Sequence, residues 1–365
     1  MALRRQSKGE PYDDLLAHLG SSSGANQIGA WIKQGVYLAL GALALYLFAP
    51  QLLDVVSSAP RLRDIKPAWF AVMAGLEVLS FVCVWWLIRI ALPRVDWFIA
   101  ATSQLVSNAV SRVVPGGAAV GGATLYRMLS VSGVEHTEAA GALAATSILS
   151  TAALFAIPAA GFLMALLGAP VPEALWPAAV AGGVMFILLV SFGWLSVAFD
   201  RPLLALGNGL HWFVQTISSR WKERRSFDAT RLITERDRLV QVLGPKWLTA
   251  MTAAALNWVF DYLALVAALY AVGADPRLSL VLLAYSGAAV LAMIPITPGG
   301  LGFVEAGLWW LLVVSGINSQ DALLATAAYR LISLWVPILC GVPAWIAHRH
   351  RFRNGEGGGK AVSSV

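Results

Sequence analysis

From Trp31 onward nearly every segment of this chain is either an apolar run of membrane-spanning length or a short connection between two such runs. A helix needs about 20 apolar residues to cross the roughly 30 Å hydrocarbon core, and backbone inside that core must satisfy its own hydrogen bonds. The pattern therefore predicts an all-α polytopic membrane protein. With 58% hydrophobic and 13% charged residues, against about 25% charged in soluble domains, no separate soluble domain fits.

The expected organisation is a polar cytoplasmic head at 1–30, one transmembrane domain at 31–348 and a basic cytoplasmic tail at 349–365. Runs at 31–49, 67–91, 138–167, 174–199, 247–272 and 320–347 read as about six full spans. Two further regions, 97–132 and 278–315, each consist of two shorter apolar pieces around a Pro-Gly-Gly break. A helix of about 17 residues rises only about 25 Å, so each pair reads as a re-entrant hairpin that enters and leaves by one face. In the polar connection at 200–246, Leu203, Leu206, Leu210, Phe213 and Ile217 recur at helical spacing ahead of Arg220, Lys222, Arg224 and Arg225. This reads as an amphipathic cytoplasmic helix, lying on anionic lipid or packed on the spans.

The basic residues of the head, the 200–246 connection and the tail all fall on one side of the plan. Only Arg61, Arg63, Lys66 and Arg277 fall on the other, which places both termini in the cytoplasm. The net charge of +6 thus serves orientation and lipid headgroups, and no nucleic-acid partner is expected. Cys83 and Cys340 both lie in apolar runs and read as buried thiols. Arg89 and Arg112 read as snorkelling to the cytoplasmic interface, and His136, His348 and His350 as interface residues rather than ligands.

The chain repeats itself. A shift of 183 positions places Pro298-Gly-Gly300 on Pro115-Gly-Gly117 and Ser315-Gly316 on Ser132-Gly133. Repeat 1 then covers about 67–167 and repeat 2 about 247–347. By the charge rule the equivalent spans 67–91 and 247–272 run in opposite directions, so the halves are inverted. Inverted repeats with interrupted helices are the architecture of alternating-access transporters, whose sites lie near the bilayer midplane between the repeats.

The candidate site follows from these breaks. Pro115, Gly116 and Gly117 in one half, and Pro298, Gly299 and Gly300 in the other, open helices whose uncovered N–H groups suit an anion, although a turn needed only for packing has the same composition. Ionisable groups in apolar segments each cost about 2.5–3.5 kcal/mol at the bilayer centre and should face the interior. Arg127 and Arg330 suit a phosphate because the guanidinium fork stays charged and bonds two oxygens. Glu305 reads as a partner that holds Arg330, and Asp261 and Glu77 as carboxyl groups for proton coupling; each has a purely structural reading as an ion pair or interhelical hydrogen bond. There is no catalytic or metal-ligand signature, so no enzyme activity, metal or cofactor is expected.

Pro298-Gly-Gly-Leu-Gly-Phe-Val-Glu305 followed by Tyr329-Arg330-Leu-Ile resembles the signature of the lysylphosphatidylglycerol synthase transmembrane, or flippase-like, family, and Pro115-Gly-Gly117 through Tyr126-Arg127 resembles its other half. The likeness covers roughly residues 30–348. It implies a bacterial plasma-membrane lipid flippase that moves a phosphate-bearing lipid, aminoacylated in some relatives, between leaflets, with Tyr126 and Tyr329 beside the site arginines. The aminoacyl-transferase domain of some relatives is not seen, so lipid synthesis is not expected. Where many relatives carry an acid ahead of the first-half arginine this chain has Thr124, so Arg127 would need a partner such as Glu77. Two other functions remain open on the residues alone: a secondary transporter for a small soluble anion, and a non-transporting membrane scaffold that docks a partner on 200–246. Membrane lipids are the expected partners, with a homo-oligomer left open.

Overall fold

The computed structural model describes residues 67–114, 117–166, 244–293 and 300–352, together with isolated positions between 176 and 237. The helices are α1 (Pro67–Ala91), α2 (Trp97–Val113), α3 (Gly117–Val131), α4 (His136–Leu166), α5 (Trp247–Ala271), α6 (Leu278–Ala292), α7 (Phe303–Val314), α8 (Ser319–Arg330) and α9 (Val336–Phe352). Among the described residues, four helical stretches are long and apolar enough to cross a bilayer: Pro67–Ala91, His136–Ala160, Gly244–Ala271 and Ser319–Phe352. This is a polytopic helical membrane protein. Those four stretches fall on four of the expected spans; the runs at 31–49 and 174–199 and the connector at 200–246 lie wholly or largely outside the described residues.

The 183-residue shift has a geometric counterpart. Gly133 and Gly316 both adopt left-handed backbone, with φ of 93° and 92°, and so do Gly117 and Gly300, with φ of 44° and 71°. α3 and α7 end in the same cap. The N–H of Gly133 bonds Ser130 O and that of Val134 bonds Leu129 O, while Gly316 bonds Val313 O and Ile317 bonds Leu312 O. This Schellman pattern satisfies the last carbonyls and requires a residue free of Cβ strain at its left-handed position. The element order repeats as well: a 25-residue helix, two short helices, then a long helical stretch.

α1 and α5, the first helix of each half, lie side by side and antiparallel. Trp69 stacks on Tyr270 near one end, Ser80 bonds Asn257 in the middle, and Leu87 and Ile90 pack with Ala250 and Ala254 at the other end. Lipid supplies no hydrophobic drive between helices, so close approach and interhelical hydrogen bonds must hold them. The buried face of α5 is accordingly rich in alanine, with Ala250, Ala253, Ala254, Ala264, Ala267 and Ala268 all turned inward. Leu339, Val342 and Ile346 point outward, as a lipid-facing surface requires.

The halves are also joined by α2 and α9. Asp96 caps α2 by accepting from Ile99 N–H at 2.8 Å, and its other oxygen accepts from Arg351 of α9 at 2.7 Å. His348 departs from the interface role expected of it. It is fully buried, with Thr102 Oγ1 2.8 Å from Nδ1, Ser132 Oγ 3.3 Å from Nε2 and Phe352 against its ring. Cys340 departs as well, being exposed while Cys83 is buried. Farther along the seam, a Cβ added to Gly341 would lie 2.4 Å from Ala109 Cβ and 3.4 Å from Leu105 O. Gly341→Val should therefore lower stability by about 1–3 kcal/mol, the usual effect of overpacking. Thermal unfolding in detergent would measure it, and Ala109→Gly should partly restore the melting temperature of Gly341→Ala.

Candidate functional site

Two interior carboxyl groups and the tyrosines that bind one of them meet where α1 and α5 pack together. On α1, Glu77 and Ser80 are three residues apart and share a face; on α5, Asn257 and Asp261 are four apart and share the facing one. Ser80 Oγ donates to Asn257 Oδ1 at 2.9 Å, which fixes the register of the two helices. One turn along, Asp261 accepts from the hydroxyls of Tyr285 on α6 at 2.5 Å and Tyr329 on α8 at 3.0 Å. Tyr285 and Tyr329 are only 3% and 8% exposed, so both phenols need this partner.

Glu77 is 6% exposed. Its carboxyl group lies within hydrogen-bonding reach of Asp261, and Arg112 and Arg330 are the positive charges that act on it. Its Oε1 is buried without a hydrogen-bond partner. A carboxyl facing another carboxyl in an apolar bundle is an unusual arrangement, and it allows one proton to serve both groups.

Arg330 ends α8. Its Nε donates to Glu305 Oε1 at 2.7 Å, the pairing expected between these residues, while Glu305 Oε2 is buried without a partner. Glu305 lies in the first turn of α7, where the helix dipole favours its charge. Immediately after Arg330, Leu331–Trp335 forms a π-helical segment that joins α8 to α9. Pro337 has no N–H to return to the carbonyl of Ser333, and the ladder opens there to the wider pattern.

The structure thus brings together Glu77, Asp261, Tyr329, Arg330 and Glu305. Tyr126 is elsewhere, its hydroxyl 3.0 Å from His136 Nδ1 in an exposed position. Arg127, half-buried next to it on α3, is not among the charges that act on Glu77 or on Arg112. Gly117 and Gly300 hold left-handed backbone at the two breaks, whereas Pro115, Gly116, Pro298 and Gly299 lie outside the described residues.

Three residues join the cluster that sequence reasoning did not place there. Tyr285 and Asn257 are ordinary residues of apolar runs, and only helix packing turns them toward Asp261 and Ser80. Arg112 does not snorkel to the interface: its neighbours are Arg330, Asp261, Tyr329 and Glu77, in the middle of the polar cluster. Its position one turn ahead of the first Pro-Gly-Gly was the available signal, since a break between apolar helices has to be surrounded by protein or face a cavity. Among the described residues, no group of three or more His, Cys, Asp or Glu side chains is arranged to hold a metal ion.

Comparison with known proteins gives two findings. A family model described as Lysylphosphatidylglycerol synthase TM region matches residues 35–341. Two UPF0104 membrane protein matches come from Methanothermobacter thermautotrophicus, one 26% identical over 179 residues and the other 32% identical over 89 residues. They cover 46% and 24% of this chain, and span about half (51%) and a quarter (25%) of the relatives' own length. That organism is an archaeon, so a bacterial setting rests on the motif resemblance alone.

Proposed function

This chain belongs to the lysylphosphatidylglycerol synthase TM region family, and we propose that it moves a phosphate-bearing lipid between the leaflets of its membrane by alternating access, leaving the lipid chemically unchanged. The observation that carries this reading is the charged cluster of Glu77, Asp261, Glu305 and Arg330, sited where α1 and α5 meet. Ionisable groups are costly in a bilayer and are retained where they do work on a polar cargo.

In this reading α2–α3 and α6–α7 are the two re-entrant hairpins of an inverted repeat. Their helices, 17, 15, 15 and 12 residues long, are short of a full span. The antiparallel course of α1 and α5 supports the inversion. Their breaks at Gly117 and Gly300 face the headgroup, which Arg330 binds while Glu305 keeps its guanidinium in place. Glu77 and Asp261 exchange a proton as the site changes sides, and the acyl chains stay in the bilayer.

The test is reconstitution of the purified chain into vesicles that carry a headgroup-labelled phosphatidylglycerol, with the label in the outer leaflet bleached by a membrane-impermeant reductant. Protein should raise the fraction of label reached well above that of empty vesicles. Transfer no faster than in protein-free vesicles would overturn the reading.

A further inference from the structure

α2 is bound to the second half along most of its length. It runs antiparallel to α9, and the contacts between them succeed one another turn by turn. Asp96 Oδ2 accepts from Arg351 at 2.7 Å, and Thr102 Oγ1 lies 2.8 Å from His348 Nδ1. Beyond these, Val106 packs with Ala344, and a Cβ added to Gly341 would stand 2.4 Å from Ala109 Cβ. His348 also reaches Ser132, 3.3 Å away in the turn after α3, so both arms of the first hairpin are held.

The 183-residue shift turns this seam into that of α6 with α4, and there the means of closure are missing. Asp96 becomes Ser279, Arg351 becomes Gly168, His348 becomes Ala165 and Gly341 becomes Pro158. α4 packs on α6, yet among the described residues no hydrogen bond or ion pair joins the two helices. The two halves thus differ at the places where each hairpin meets the opposite half. Alternating access requires such a difference, because one way into the site is shut while the other is open.

We infer that the α2–α9 seam is a gate, latched in this conformation by Arg351 on Asp96 and by His348 between Thr102 and Ser132, and that its opening is coupled to closure of the α4–α6 seam. The gate rests on the transport reading for what passes through it. By the charge rule the latch lies on the face of the basic tail, so this conformation is closed to the cytoplasm. Arg351 and Asp96 have side chains 36% and 34% exposed, and an ion pair so wet contributes little and breaks readily. A latch needs that property, since a seam held too firmly would fix one state.

The experiment measures the rate at which a maleimide reacts with single cysteines in the purified full chain in detergent. The background is Cys83→Ala with Cys340→Ala, and the probes are Val106→Cys on the latched seam and its repeat equivalent Ala289→Cys on α6. Adding Arg351→Gln should raise the rate at position 106 by about two- to fivefold, the population change that loss of an exposed pair allows, and lower the rate at position 289. Arg351→Lys, which keeps the charge, should return both rates toward those of the background. If Arg351→Gln does not fold, Asp96→Asn takes its place, because asparagine still caps α2 for Ile99 and only the charge is lost. An unchanged rate at position 106 overturns the gate. So does a rise there with no fall at position 289, which is what a merely loosened packing contact would give. Lipid transfer by the unlatched background protein in vesicles keeps the two readings apart: opposed rate changes without transfer leave the gate standing and remove the lipid cargo, whereas transfer without rate changes does the reverse.

Discussion

Arg330→Ala abolishes lipid transfer in reconstituted vesicles while the protein remains folded. The expectation follows from position: Arg330 holds the half-buried Glu305 through its Nε and acts on Glu77 in the same polar cluster. Its removal takes away a guanidinium that stays charged under any physiological condition, and with it the group proposed to bind the headgroup. A cost in stability comes with it, because Glu305 loses its partner. Breaking a fully buried ion pair costs about 3–5 kcal/mol, but the Glu305 side chain is 28% exposed and can recruit water, so a smaller fall is expected. The double variant Arg330→Ala with Glu305→Ala separates the two effects. It should recover melting temperature but not transfer, since the acid that lost its partner is gone while the guanidinium proposed to bind the headgroup is still missing. Normal transfer by Arg330→Ala, at wild-type levels of folded protein, would sink the assignment.

Changes at Asp261 should have two distinct consequences. Asp261→Ala leaves the buried hydroxyls of Tyr285 and Tyr329 without their common acceptor, at about 1–3 kcal/mol for each unpaired donor. Its melting temperature should fall by several degrees. Asp261→Asn keeps a carbonyl oxygen for those phenols and should fold nearly as well, yet it cannot exchange a proton. An imposed pH gradient should then no longer accelerate transfer, while exchange without a gradient continues, and Glu77→Gln should behave the same way. Measured in vesicles with internal and external pH set separately, gradient-driven transfer that persists in Asp261→Asn would rule out this carboxyl as the coupling group.

Much of the fold could be read from the residues because it is local. Apolar runs of spanning length, breaks at proline and glycine, and a cap that needs left-handed backbone are properties of short stretches. The shift that aligns Gly133 with Gly316 and Gly117 with Gly300 therefore appears in the backbone angles as it does in the letters. The Glu305–Arg330 contact was legible for a related reason: both are ionisable groups in apolar segments of one half, and few partners are open to either. Arg112 and Arg127 show the limit. Each is an arginine close to a Pro-Gly-Gly and in an apolar piece; nearness to the break hints at both alike, and only packing places Arg112 beside Glu77 and Asp261.

His348 makes the same point outside the site. Next to Arg349 and Arg351 it reads as part of a basic membrane edge, but α9 packs antiparallel against α2 and carries the ring between Thr102 and Ser132. By itself the sequence determined that this chain is a helical membrane protein, that it repeats, where its helices break and which charges must be hidden. The tertiary structure decided which of those charges meet: Glu77 with Asp261, and Arg112 beside that pair rather than at the membrane edge. The physical reason is that burial in a bilayer constrains each helix separately, through hydropathy and its own hydrogen bonds. The rotation of one helix against another is set by small residues in contact, such as Gly341 on Ala109, and by single polar bonds such as Ser80 to Asn257.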